Sequence, residues 1–60
     1  MNNHSFHNAK LYIDARFYHL NKKYKLALRN YDLVNKSNCK EIFCKAAKIF
    51  SKEIKNKILD

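Results

Sequence analysis

LYIDARFYHLNKKYKLALRNY, residues 11–31, is the stretch whose reading decides the fold. Ile13, Phe17, Leu20, Tyr24, Ala27 and Tyr31 recur in it at steps of three and four, and Phe6, Ala9 and Val34 extend the rhythm on either side. Such steps lay apolar side chains along one face of a helix. Taken alone, the rhythm permits one continuous helix from about Ser5 to Val34. Asn21-Lys22-Lys23 is its only polar interruption, so a turn is expected there.

The whole chain has 60 residues with no glycine and no proline, and so lacks the usual helix breakers and turn formers. Strands joined by tight turns want Asn-Gly or Gly-rich pairs, and none is present. These observations predict an all-α fold in one small domain spanning residues 1–60, with 1–4 frayed. Asn and Ser are left to make the turns, because they tolerate left-handed backbone or cap helix starts. Asn35-Lys36-Ser37-Asn38 is the firmest expected break, and Asn38 followed by Glu41 reads as a capping box. From Cys39 to Leu59 the pattern is a clear amphipathic helix. Cys39, Ile42, Phe43, Ala46, Ala47, Phe50, Ile54 and Ile58 share one arc, and Lys45, Lys48, Lys52 and Lys55 lie opposite. Acids precede lysines by four at Asp32–Lys36, Glu41–Lys45 and Glu53–Lys57, the better order for pairing on a helix.

Residues 8–39 resemble a single tetratricopeptide repeat. That pattern reads aromatic-x2-Leu-Gly-x2-Tyr, then Ala-x3-Phe, then Pro. Leu11, Asp14, Ala15 and Tyr18 stand at its first offsets, Tyr24 where its second helix opens, and Ala27 and Tyr31 at its later ones. Asp14 replaces the family's leucine, Leu11 its tryptophan, Val34 its alanine and Cys39 its proline. Asp14 would need a partner if buried, and Lys10 one turn earlier is the local candidate. The resemblance implies three helices: a hairpin of 6–20 and 22–35, with Ala15 and Ala27 meeting where the helices cross, and a last amphipathic helix capping the pair. The alternative is a hairpin with one long first helix, dimerising into a bundle. The resemblance also implies a concave groove lined by Ala9, Tyr12, Arg16 and His19, where Arg16 and Tyr12 could clamp a carboxylate or phosphate. A lone repeat is short of burial, so self-association or docking on a larger protein is expected.

The formal net charge is +8, from thirteen basic and five acidic residues, and it grows along the chain. Such a balance draws nucleic acid, acidic proteins or anionic surfaces. It also arises from AT-rich coding alone, given the abundance of Lys, Asn and Ile. No apolar run approaches the roughly 20 residues of a membrane span, and the polar start has no signal-peptide core. The chain therefore reads as cytoplasmic with reduced thiols.

Catalysis finds little support. Without glycine there is no phosphate-cradling loop. Cys39 and Cys44, five apart, would point about 140° away from each other on one helix, which makes a zinc set of His4, His7, Cys39 and Cys44 poor. No third group orients a Cys–His pair with His19. No enzyme, cofactor or metal is expected. The function expected is a small adaptor or inhibitor that docks on a larger, partly acidic protein, or that pairs as a homodimer. Tyr12, Arg16 and His19 are its groove contacts, and Lys45, Lys48, Lys52 and Lys55 its steering face. The alternative is a nucleic-acid-binding regulator that uses the same lysines without reading bases.

Overall fold

A computed structural model describes residues 4–37 and 39–58. They form three helices, α1 (His4–Leu20), α2 (Tyr24–Lys36) and α3 (Ile42–Ile58), and no strand occurs among them. The particle is 42 Å long and 17 by 14 Å across. α2 packs along both α1 and α3, whereas α1 and α3 touch only briefly. The all-α, three-helix expectation holds, and the continuous first helix does not. The expected fraying of residues 1–4 falls outside the described residues except at His4, which begins α1.

The break comes where the polar triplet stands, but its chemistry differs from the expectation. Lys22, rather than an asparagine, adopts the left-handed conformation, with φ 61°. Its N–H donates to the His19 carbonyl at 3.1 Å, and the Lys23 N–H donates to the Tyr18 carbonyl at 2.8 Å. This pair of bonds is a Schellman closure, usually built on glycine. Asn21 contributes through its side chain, donating from Nδ2 to the Phe17 carbonyl at 2.8 Å. A non-glycine residue in this conformation costs about 1–2 kcal/mol, part of which glycine gives back as chain entropy. Lys22→Gly is therefore expected to stabilise the fold by about 1 kcal/mol, and to raise the melting temperature by about 4–8 °C. An unchanged or lowered melting temperature would refute the strained-cap assignment.

α2 starts at Tyr24, two residues later than expected, and its N-cap Lys23 makes no side-chain cap bond. It ends at Ser37, whose extended backbone and Oγ, donating to the Val34 carbonyl at 2.6 Å, stop it. Asn35 and Lys36, expected in the break, belong to α2. α3 starts at Ile42 rather than Cys39. The capping box rests on Asn38, outside the described residues. Glu41 itself supplies the carbonyl that accepts from the Cys44 and Lys45 N–H groups, so it stands at the helix boundary.

Each helix gives one fully buried alanine to the core: Ala15, Ala27 and Ala47. With no Cβ branch or chain to separate them, small residues let helix backbones approach closely. Tyr31, Val34 and Ile54 are the largest fully buried side chains. α1 corrects the sequence reading most. Its buried side holds Asn8 and Ala15, flanked by Leu11, Tyr12 and Tyr18. Phe6, Ile13, Phe17 and Leu20, read as the core-facing stripe, are instead exposed. On α3 the buried arc is turned toward the lysine side: Cys44, Ala47, Ser51 and Ile54 are buried, and Ile42 and Ile58 are exposed. Buried Ser51 is satisfied by donating to the Lys48 carbonyl at 2.9 Å and accepting from Asn35 Nδ2 at 3.2 Å.

Candidate functional site

Tyr12, Arg16 and His19 lie on the inner side of α1 and converge, as their spacing of four and three requires. They meet the chain's own helices. The Tyr12 ring lies 6.1 Å from Tyr31 and 5.8 Å from Phe43. The Arg16 guanidinium sits 4.2 Å over the Phe50 ring, well inside cation–π range. His19 packs edge-on to Tyr24, Tyr31 and Phe50. Tyr31 and Phe50 stack at 5.8 Å. The third helix thus lies over the residues that the repeat resemblance assigns to a groove. All three are half-buried.

The protonation of this junction follows from its partners. His19 Nδ1 lies 3.1 Å from the Tyr31 hydroxyl and 3.5 Å from Arg16 Nη1. Arginine can only donate, so Nδ1 must accept, and the proton of the neutral ring resides on Nε2. Burial holds the His19 pKa below its ordinary 6.5, and the Arg16 charge pushes the same way. Glu53 opposes the shift, and Lys57 adds to it weakly. Burial likewise raises Tyr31, so its phenol keeps the proton that it donates. Below pH 6.5 the unfolded chain binds more protons at His19 than the folded one does. The stability tied to neutral His19 is therefore complete above that pH and is lost as pH falls through the lowered folded value. Thermal melts between about pH 7 and pH 5 should show this decline, with a shallower slope in His19→Gln. Equal slopes in the two proteins would dismiss the effect.

The lysines form a separate surface. Lys45, Lys48 and Lys52 are exposed on α3, with no ion-pair partner among the described residues. Lys55 differs, reaching Asp32 across the α2–α3 contact at 3.9 Å. Asp32 therefore pairs between helices instead of with Lys36, because it faces α3. Glu41–Lys45 and Glu53–Lys57 do not close as ion pairs. Lys10–Asp14 does, at 3.4 Å on the exposed flank of α1. Asp14 is thus half-exposed rather than a buried charge.

An open cavity of about 400 Å³ lies between the end of α2 and the start of α3. Lys40, Lys45 and Lys48 line it together with Asn35 and the two cysteines. Asn35 Oδ1 is buried there without a hydrogen-bond partner. Cys39 and Cys44 form a disulfide, with Cα atoms 6.1 Å apart. This corrects the expectation of reduced, divergent thiols. That expectation placed both residues on one helix, but α3 begins after Cys39, and the intervening turn folds Cys39 back onto Cys44 in the first helical turn. Bonded sulfurs offer no thiolates, so the zinc set has lost two of its four donors. Among the described residues no three His, Cys, Asp or Glu side chains gather where they could hold a metal ion. No helix is long and apolar enough to cross a membrane. Sequence reading missed the cavity because it depends on where α3 starts, and the expected start at Cys39 placed both cysteines and Lys40 inside the helix.

Comparison with protein-family models, with curated proteins and with solved structures finds no match for this chain.

Proposed function

We propose that this chain is a non-enzymatic binding module, an adaptor or inhibitor, that docks on a larger protein through an acidic surface of that partner. The observation that carries this reading is the exposed row Lys45, Lys48 and Lys52, continued by Lys40 around the 400 Å³ cavity. Unpaired ammonium groups on a rigid helix attract carboxylates at long range and speed the encounter. The cavity between them is roomy enough to admit an acidic side chain. Tyr12, Arg16 and His19, the groove set of a tetratricopeptide-like hairpin, would act here by anchoring, from its opposite side, the helix that presents the lysines. Ala15 and Ala27, fully buried as that kind of hairpin needs, support the hairpin reading. The disulfide is the chemistry of oxidising surroundings, and this weighs against the cytoplasmic setting read from the polar start.

The second reading is a nucleic-acid-binding regulator, favoured by the same lysine row. Lys45 to Lys52 covers about 10 Å of helix, which suits a few phosphates and no base edges.

The test uses defined probes, a poly-glutamate peptide and a mixed-sequence DNA duplex, with the intact chain and a Lys45→Glu/Lys48→Glu/Lys52→Glu variant. The expected result is peptide binding by the intact chain that the variant loses by at least about tenfold, or 1.4 kcal/mol, with no duplex shift. A duplex shift at low salt that vanishes steeply with added salt would install the second reading. Peptide binding indifferent to the three substitutions would end the first.

A further inference from the structure

α1 has a second apolar face that the fold leaves unused. Phe6, Ile13, Phe17 and Leu20 are 77%, 64%, 62% and 73% exposed. At 100° per residue they fall within an arc of about 60°, roughly opposite the arc that buries Asn8 and Ala15. A solvent-facing helix is ordinarily polar on its outer side, and one that is apolar all round is ordinarily covered all round. These four side chains leave on the order of 500 Å² of apolar surface in one stripe, as much as the largest patch on a typical monomer. The other described helices show smaller groups, Leu26 with Leu33 on α2 and, on α3, Ile42 with Ile49 and a separate Ile58 on the opposite side.

Charge decides what can cover this face. Of the +8 on the chain, α1 contributes only +1, from Lys10, Asp14 and Arg16. Lys10 and Asp14 neutralise each other at 3.4 Å, and Arg16 is turned inward over Phe50. The outer face of α1 therefore has no charge to offer an acidic partner. It is instead the side on which two strongly basic chains can approach with their lysines turned away from each other. The stripe is also close to self-complementary. Ile13 lies seven residues from Phe6 and seven from Leu20, so an antiparallel pairing about a two-fold axis at Ile13 sets Phe6 of each chain against Leu20 of the other. Antiparallel helices also align their dipoles favourably. Two such faces together bury about 1,000 Å², the lower bound of a specific interface.

We propose that the outer face of α1 binds a second copy of this chain, forming an isologous dimer with the α2–α3 lysine surfaces on its two outer sides. Such a dimer presents the cationic row twice, pointing in opposite directions. Sedimentation equilibrium is the test, run on the full chain, on Ile13→Glu and Phe17→Glu, and on Leu33→Glu, an exposed leucine on α2 away from the stripe. The expected mass is twice the 7.2 kDa of one chain. It should revert to one chain mass in the two α1 variants, through a rise of about a hundredfold in dissociation constant, and stay doubled in Leu33→Glu. Circular dichroism should show equal helicity in all four, because the changed residues are exposed. Added salt should tighten the dimer by screening like charges, whereas it weakens poly-glutamate binding, so the two readings fail separately. As a check free of charge insertion, Ile13→Cys should form an interchain disulfide on mild oxidation and Leu33→Cys should not. A single-chain mass at every concentration overturns the proposal, and so does a dimer untouched by Ile13→Glu. It is equally overturned if Phe17→Glu changes only the binding of an acidic partner.

Discussion

Tyr31→Ala is expected to leave the chain largely unfolded at room temperature. Tyr31 is fully buried at the centre of the three-helix junction. Its ring stacks on Phe50 at 5.8 Å and meets Tyr12 at 6.1 Å and His19 at 5.9 Å, and its hydroxyl is bonded to His19 Nδ1 at 3.1 Å. Truncating a buried aromatic to alanine costs about 3–5 kcal/mol through lost transfer energy and the cavity left behind. A domain of this length has a total stability of only about 3–9 kcal/mol, so the loss consumes most of it. Tyr31→Phe separates the two contributions: it keeps the ring and removes the hydroxyl bond, for a loss of about 1 kcal/mol. Urea titration followed by circular dichroism measures both. The junction would not be the keystone described above if Tyr31→Ala unfolded within about 1 kcal/mol of the parent.

Ala27→Leu is expected to destabilise by about 1–3 kcal/mol through overpacking. Ala27 is completely buried within the core cluster that also holds Ala15. A leucine there must push helices apart or adopt a poor rotamer. Its neighbour Leu26 is 44% exposed, and Leu26→Ala should change stability by less than about 0.5 kcal/mol. The pair reverses what residue size alone suggests, since enlarging a small residue harms and trimming a large one does not. Equal effects at the two positions would mean that α1 and α2 do not meet at Ala27. If the chain dimerises through α1, all four variants must be compared at one concentration.

Much of this arrangement was legible from residue order. The absence of glycine and proline left only helices, the Asn21-Lys22-Lys23 interruption marked the first turn, and Ala15 and Ala27 were picked out as the small buried pair. Lys10 was named as the partner Asp14 would need if buried, and the two do pair, with Asp14 half-exposed. The face of α1 was misread for a physical reason. That helix is apolar on two opposite sides, so a three-four rhythm fits both, and the side with larger residues was the more conspicuous. Tyr12 and His19 have the right spacing to be surface contacts and equally the right chemistry to be packed. Only the packing of α2 and α3 against α1 shows that they meet Tyr31 on the one and Phe43 and Phe50 on the other. The Asp32–Lys55 pair and the Cys39–Cys44 bond were hidden for a related reason. The first depends on the register between α2 and α3, and the second on α3 starting at Ile42, three residues after the expected Cys39.

The covalent link deserves a last consequence. Cys39 and Cys44 are five positions apart, and both flank the same bend, so the bond fastens an elbow to itself and ties no rod to another. The clasp governs how firmly the third rod is held at its base, while Ala15, Ala27 and Tyr31 hold the first two together independently of it. A reductant would therefore slacken the basic arm, and the joint at Lys22 would keep its angle.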